Sequence, residues 1–251
     1  PGNAEARAHL RKLQDEIRIE RDMEELSSDH FKVKFEGAAN FESGRLVLEG
    51  LERAYRKLAQ DLDYEPEREV TALLYTDRGF HEVIHAPDWT GAIFDGKIRI
   101  PLGGLDRASK SEVESLVLHE YTHAVVHHMT KGGCPAWLNE GLALYQSERD
   151  KFNQKAVFRF RIRHRGQDVL ALSDMEDGFL GFDGETARAA YNQAFNVVAY
   201  LVSVYGYSEV RRLLLAFGAG RTVEEGVAEV LGVPYDEFEG AFQRYMFNWE
   251  E

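Results

Sequence analysis

Ser109-Lys110-Ser111-Glu112-Val113-Glu114-Ser115-Leu116-Val117-Leu118-His119-Glu120-Tyr121-Thr122-His123-Ala124-Val125-Val126-His127-His128-Met129 is the stretch on which the reading of this chain turns. Serine opens it, Glu112 and Glu114 fall in its first turn, and neither Gly nor Pro interrupts it for about five turns, so a helix is predicted over Ser109–Met129. Its apolar residues (Val113, Leu116, Val117, Leu118, Tyr121, Ala124, Val125, Val126 and Met129) lie nearly all round, the pattern of a buried helix. Residues four apart on a helix sit about 40° apart around the axis and one turn apart along it, so His119 and His123 can face one metal ion, with Glu120 flanking it. A catalytic zinc usually takes three protein ligands and leaves the fourth position to water. The pKa of that water falls to about 7, within reach of a neighbouring carboxylate acting as base. This is the physical content of the pattern H-E-x-x-H.

His81-Glu82-Val83-Ile84-His85 fits the same pattern, so context has to separate the two. Ala86-Pro87 follows at once and should stop a helix there, and nothing downstream supplies a third ligand in a comparable setting. It reads as a coincidental match in a short helix or turn. After His119–His123, by contrast, comes the loop Lys131-Gly132-Gly133-Cys134. Pro135 then suits a helix start, and Ala136–Ser147 continues with helix formers at apolar spacing.

Together, His119–His123 and Trp137-Leu138-Asn139-Glu140-Gly141-Leu142-Ala143 resemble the gluzincin metallopeptidases, the thermolysin-like and aminopeptidase-like clan with H-E-x-x-H and a downstream N-E-G-x-A. The resemblance extends over most of the chain from His30 onward. It implies that Glu140 is the third zinc ligand, with one Zn(2+) per chain. It also implies a peptide or protein substrate whose bond is hydrolysed by attack of zinc-bound water, Glu120 serving as general base. The fold it implies is a zincin-like α+β metallopeptidase: a small N-terminal sheet lobe, an all-helical C-terminal lobe, and the zinc helix at the seam.

Two further assignments rest on the same resemblance. In this clan the substrate lies extended along an edge strand of the upper lobe, which assigns substrate binding to Gly91, Ala92, Ile93 and Phe94, although an ordinary hairpin closed by Asp95-Gly96 explains those residues equally well. The aminopeptidase branch carries G-x-M-E-N there, its Glu holding the substrate's free amine. Here Phe94 stands in that Glu's place, which argues for cleavage of internal bonds. Related enzymes also place a Tyr on the helix after the third ligand, where it donates to the oxyanion. Tyr191 is the candidate, with Tyr200 and Tyr205 behind it, and a structural phenol is the alternative.

The remainder of the sequence is less specific. Its 251 residues suffice for one large domain or two lobes. The organisation expected is a charged helix over 1–29, akin to the tail of an upstream helical region, and a peptidase domain over 30–251. That domain divides into a sheet lobe plus zinc helix (30–130) and a helical lobe (131–251). Ala4–Leu26 carries only a thin apolar stripe of Leu10, Leu13 and Ile17. Strands are expected at His30–Phe35, Glu69–Tyr75, Ala92–Phe94 and Lys97–Ile100, and an amphipathic helix at Phe41–Leu62. Ser173–Thr186 reads as a flexible loop without calcium-site spacing, and Tyr191 as the start of an apolar helix. Thirty basic against 43 acidic residues, a net charge of -13, argue against nucleic-acid or anionic-membrane partners. No apolar run approaches the roughly 20 residues of a membrane span. Cys134, the only cysteine, excludes an internal disulfide. The chain opens on Pro1 rather than Met, which leaves room for a leader or upstream domain, and so for export or a cell-envelope location. His127 lies about 12 Å along the helix from His119, too far to share its metal, and His128 points to the opposite face. Two other functions share the fold: a catalytically silent binding module, which has no physical need for Glu120, and a zinc hydrolase of a non-peptide amide.

Overall fold

Phe31-Lys32-Val33-Lys34-Phe35 alternates apolar and charged residues, and its three apolar side chains are fully or almost fully buried, so one face of this strand is core. In the computed structural model, which describes residues 14, 16–18, 20–66, 68–76, 79–80, 92–105, 107–148, 151–165, 169–179 and 181–247, it is β2 of a five-stranded sheet. The strands are β1 (Glu24–Ser27), β2 (Phe31–Phe35), β3 (Val70–Tyr75), β4 (Ile93–Phe94) and β5 (Ile98–Pro101), in the order β1-β2-β3-β5-β4. β2 and β3 run parallel with Phe31 opposite Val70, and β3 and β5 run parallel with Leu73 opposite Arg99. β1 and β4 are antiparallel edges.

Besides a four-residue turn at Leu102–Leu105 and the helical residues before β1, the helices among the described residues are α1 (Phe41–Leu62), α2 (Lys110–Thr130), α3 (Ala136–Ser147), α4 (Lys151–Arg165), α5 (Gly184–Val204), α6 (Tyr207–Gly218), α7 (Val223–Leu231) and α8 (Tyr235–Phe247). The fold is thus mixed α+β. The chain divides into two compact units. The first comprises Pro1–Lys57 and Glu65–Ala124; the second comprises Leu58–Tyr64 and Val125–Glu251.

Within the first unit, α1 and the sheet fix the first half of α2. A Cβ added at Gly50 would come within 2.7 Å of Val117 Cγ2, so the two helices approach at a position where only glycine fits. Arg53 reaches Glu114 across the same contact at 3.0 Å, and the rings of Phe31 and Tyr121 meet edge to face at 5.1 Å. α2 buries Val113, Val117, Tyr121, Ala124, Val125, Val126 and Met129, as its all-round apolar pattern requires.

Three expectations need correction. The charged helix expected over Ala4–Leu26 stops short: residues 14, 16–18 and 20 are helical, but Glu24–Ser27 is β1. Pairing of Glu24 with Phe35 and Leu26 with Val33 outweighs the local helical preference of Glu and Leu. Ile17, part of the presumed stripe, is exposed, and Leu10 and Leu13 lie outside the described residues. Ser173–Thr186 is not one loop, since Leu172–Met175 is a 3₁₀ turn and α5 begins at Gly184. Asp183 caps that helix, accepting from the backbone N–H of Glu185 and Thr186 at 2.9 and 3.0 Å. Tyr191 therefore lies inside α5 instead of opening it.

Candidate metal centre

His119 and His123 stand one turn apart on α2, their Nε2 atoms 3.2 Å from each other and their rings crossed at 84°. Two ligands of a tetrahedral zinc at 2.0–2.1 Å would place their nitrogens about 3.4 Å apart, so the pair already has the spacing of a shared ion. Thr122 Oγ1 donates to the Leu118 carbonyl at 2.7 Å and is fully buried, so its hydroxyl is used within the helix and not in the site. Glu120, next to the first histidine, is 4% exposed, a burial that a carboxylate accepts only for a reason.

The helix that follows places the third donor. After Thr130 the chain turns through left-handed Lys131 (φ 54°) and Gly132 (φ 82°), and Pro135 caps α3 in an extended conformation. The free N–H of Ala136 is satisfied by the Glu176 carbonyl at 2.8 Å. Trp137 and Leu138 are fully buried, whereas Glu140 is half-buried. Gly141 lets α3 lie flush on α5: a Cβ there would overlap the Ala194 carbonyl oxygen and come within 2.7 Å of Val198 Cγ2. The ligand atoms of His119, His123 and Glu140 all lie within 4.8 Å of one another. Two imidazoles and one carboxylate form the donor set of a zinc site that keeps a position open, so these residues fit the ion.

A family model described as the peptidase MA superfamily matches residues 51–248. The chain belongs to that superfamily. No curated protein matches the sequence. Members of the superfamily are typically zinc-dependent, which agrees with the donor set, and membership indicates a peptidase-like function.

Other residues anticipated for this superfamily site fall out unevenly. Tyr191 is 39% exposed. Its ring meets that of buried Phe179 edge to face at 4.9 Å. Partial burial and then the charge of Glu140 hold its phenol above the usual tyrosine range. Tyr200 belongs to an aromatic cluster with Tyr205, Phe238, Phe242 and Tyr245 and is 5% exposed. Ala92, Ile93 and Phe94 are half-buried, the last two forming edge strand β4, whereas Gly91 and the whole of His81–His85 lie outside the described residues. His127 is exposed and His128 half-buried. Burial raises the Cys134 thiol, which suits a packing role.

Gly141 also yields a test with two opposing terms. Alanine in a helix interior should gain about 1 kcal/mol of propensity over glycine, but overlap with the α5 backbone costs about 1–3 kcal/mol. Because a backbone carbonyl cannot swing aside as a side chain can, the overlap wins. Gly141→Ala is expected to melt several degrees lower than the parent, roughly 2–4 °C for each kcal/mol lost. A raised melting temperature would show that α3 and α5 can part without cost.

Proposed function

We propose that this protein is a zinc-dependent endopeptidase in which His119, His123 and Glu140 hold a single zinc ion. The observation that carries the proposal is the convergence of two imidazoles and a carboxylate, with a buried carboxylate, Glu120, adjacent in sequence to one of them. A zinc ion held by these residues would supply Lewis acidity, making water easier to deprotonate near neutral pH and polarising the carbonyl of the bond to be cut.

The chain's own residues do the rest. A carboxylate oxygen of Glu120 accepts the proton of the attacking water and later delivers it to the leaving amine nitrogen as the C–N bond breaks. The Tyr191 hydroxyl, a phenol and so protonated near neutral pH, donates to the oxygen that gains charge in the transition state. Edge strand β4, with Ala92 before it, pairs main chain to main chain with an extended substrate, positioning it without reading its side chains. Phe94, apolar where an amine-binding carboxylate would be needed, supports cleavage of internal bonds. A silent binding module would have no use for Glu120 at that position.

The test is a digest of a mixed peptide library by zinc-loaded protein, read by mass spectrometry, with each peptide in free and N-acetylated form. Internal cleavage at similar rates in both forms is expected. Release of single N-terminal residues that acetylation abolishes would overturn the endopeptidase reading, and no cleavage by protein carrying one zinc per chain would overturn the peptidase itself.

A further inference from the structure

Arg99, in the middle of β5, is 3% exposed, and each of its three guanidinium nitrogens has a partner. Nε donates to Asp95 Oδ1 at 2.8 Å, Nη1 to the Tyr75 hydroxyl at 2.6 Å, and Nη2 to Glu16 Oε1 at 3.0 Å. Burial works against the charge, but Tyr75, Asp95 and Glu16 outweigh it, so the guanidinium stays protonated. Glu20 stands 3.9 Å from Nη1 and takes the ammonium of Lys97 at 2.8 and 2.9 Å. The partners come from four places: the β4–β5 turn, β3, and two positions of the helical segment that precedes β1.

A cluster of this kind is not a stability device by default. Taking a guanidinium and the carboxylates of Glu16 and Glu20 largely out of water costs more than a well-packed apolar substitute would, and its return is a fixed geometry. What it fixes here is the β4–β5 hairpin. Among the described residues β4 pairs over two, Ile93 with Arg99 and Phe94 with Ile98, few to hold an edge strand in place unaided. The turn between them carries a backbone bond from Asp95 N–H to the Lys97 carbonyl at 3.2 Å, and Gly96 there takes φ 103°. Arg99 and Lys97 add a constraint from outside the hairpin, tying the turn to β3 and to the segment carrying Glu16 and Glu20.

We propose that Arg99 is a positioning residue for the substrate strand: through Asp95, and backed by Glu16 and Glu20, it holds β4 where an extended peptide can add to it. This inference rests on the endopeptidase reading. In it Asp95 is the link between Arg99 and the turn, its carboxylate 2.8 Å from Nε.

Contacts along an edge strand are made alike in the bound peptide and in the transition state, so loosening them acts on KM more than on kcat. Arg99→Lys keeps the charge but cannot reach three partners at once. The expected result is a KM for an extended peptide raised about 10-fold or more, with kcat within about 2-fold and zinc content unchanged. A general structural role would instead lower kcat, zinc content and melting temperature together, and that result would overturn the proposal. Hydrogen exchange over residues 92–101 provides a readout independent of activity. If no peptide is cleaved even by the parent protein, the endopeptidase reading falls, while faster exchange confined to this hairpin in Arg99→Lys still supports the positioning role, and unchanged exchange removes it. Should Arg99→Lys fail to fold, Asp95→Asn, at a partly exposed position, carries the same two measurements with the same expected and overturning results.

Discussion

Glu120→Gln is expected to lower turnover by roughly 10²-fold or more while bound zinc stays at one per chain. Glutamine preserves the size and planarity of the side chain, so the buried position of Glu120 remains filled, and no metal ligand is altered. What disappears is an oxygen able to accept a proton from water and release it to the amine. Measuring kcat alongside zinc content on the same sample separates loss of the base from loss of the ion. A glutamine variant that turns over at nearly the parental rate would place the base elsewhere, or assign the activity to a contaminant.

Replacing any one of His119, His123 or Glu140 by alanine should bring bound zinc far below one per chain and activity down with it, because two remaining donors cannot define a tetrahedral site. His81→Ala and His85→Ala should leave both zinc and activity near the parental values. Elemental analysis after gel filtration decides the matter. Zinc retained in His123→Ala but lost from His85→Ala would sink the assignment of the metal centre to α2 and α3.

The parts of the fold visible in the sequence were those in which local pattern and tertiary need agree. α1, α2 and α3 match their apolar spacing and end signals to within a residue, and Pro135 marks a helix start in both readings. β1 was hidden because Glu24-Glu25-Leu26-Ser27 has no strand character of its own and acquires it only by pairing with β2. The start of α5 was partly legible: Asp183-Gly184-Glu185-Thr186 is a capping sequence, but its surrounding Asp and Gly made it look like a loop. Of the candidate site, the two histidines followed from helix periodicity and Glu140 from resemblance alone. The Arg99 cluster was not legible at all, since Glu16 lies 83 positions away and no local rule connects a buried arginine on a strand to an acid on a distant helical segment.

The two left-handed residues after α2, Lys131 and Gly132, reverse the chain so tightly that all three metal donors come from the span between residues 119 and 140. Metal capture by the proposed donors would therefore be a low-contact-order property, formed by neighbours in sequence. Substrate alignment is the opposite, since β4 rests on β5, β5 on β3, and the hairpin on Glu16. On heating, the long-range contacts of the hairpin would be lost before the short-range ones of the donor set, since local opening proceeds segment by segment. On the proposed reading, loss of peptide alignment and release of zinc would then be separable on heating, the first preceding the second.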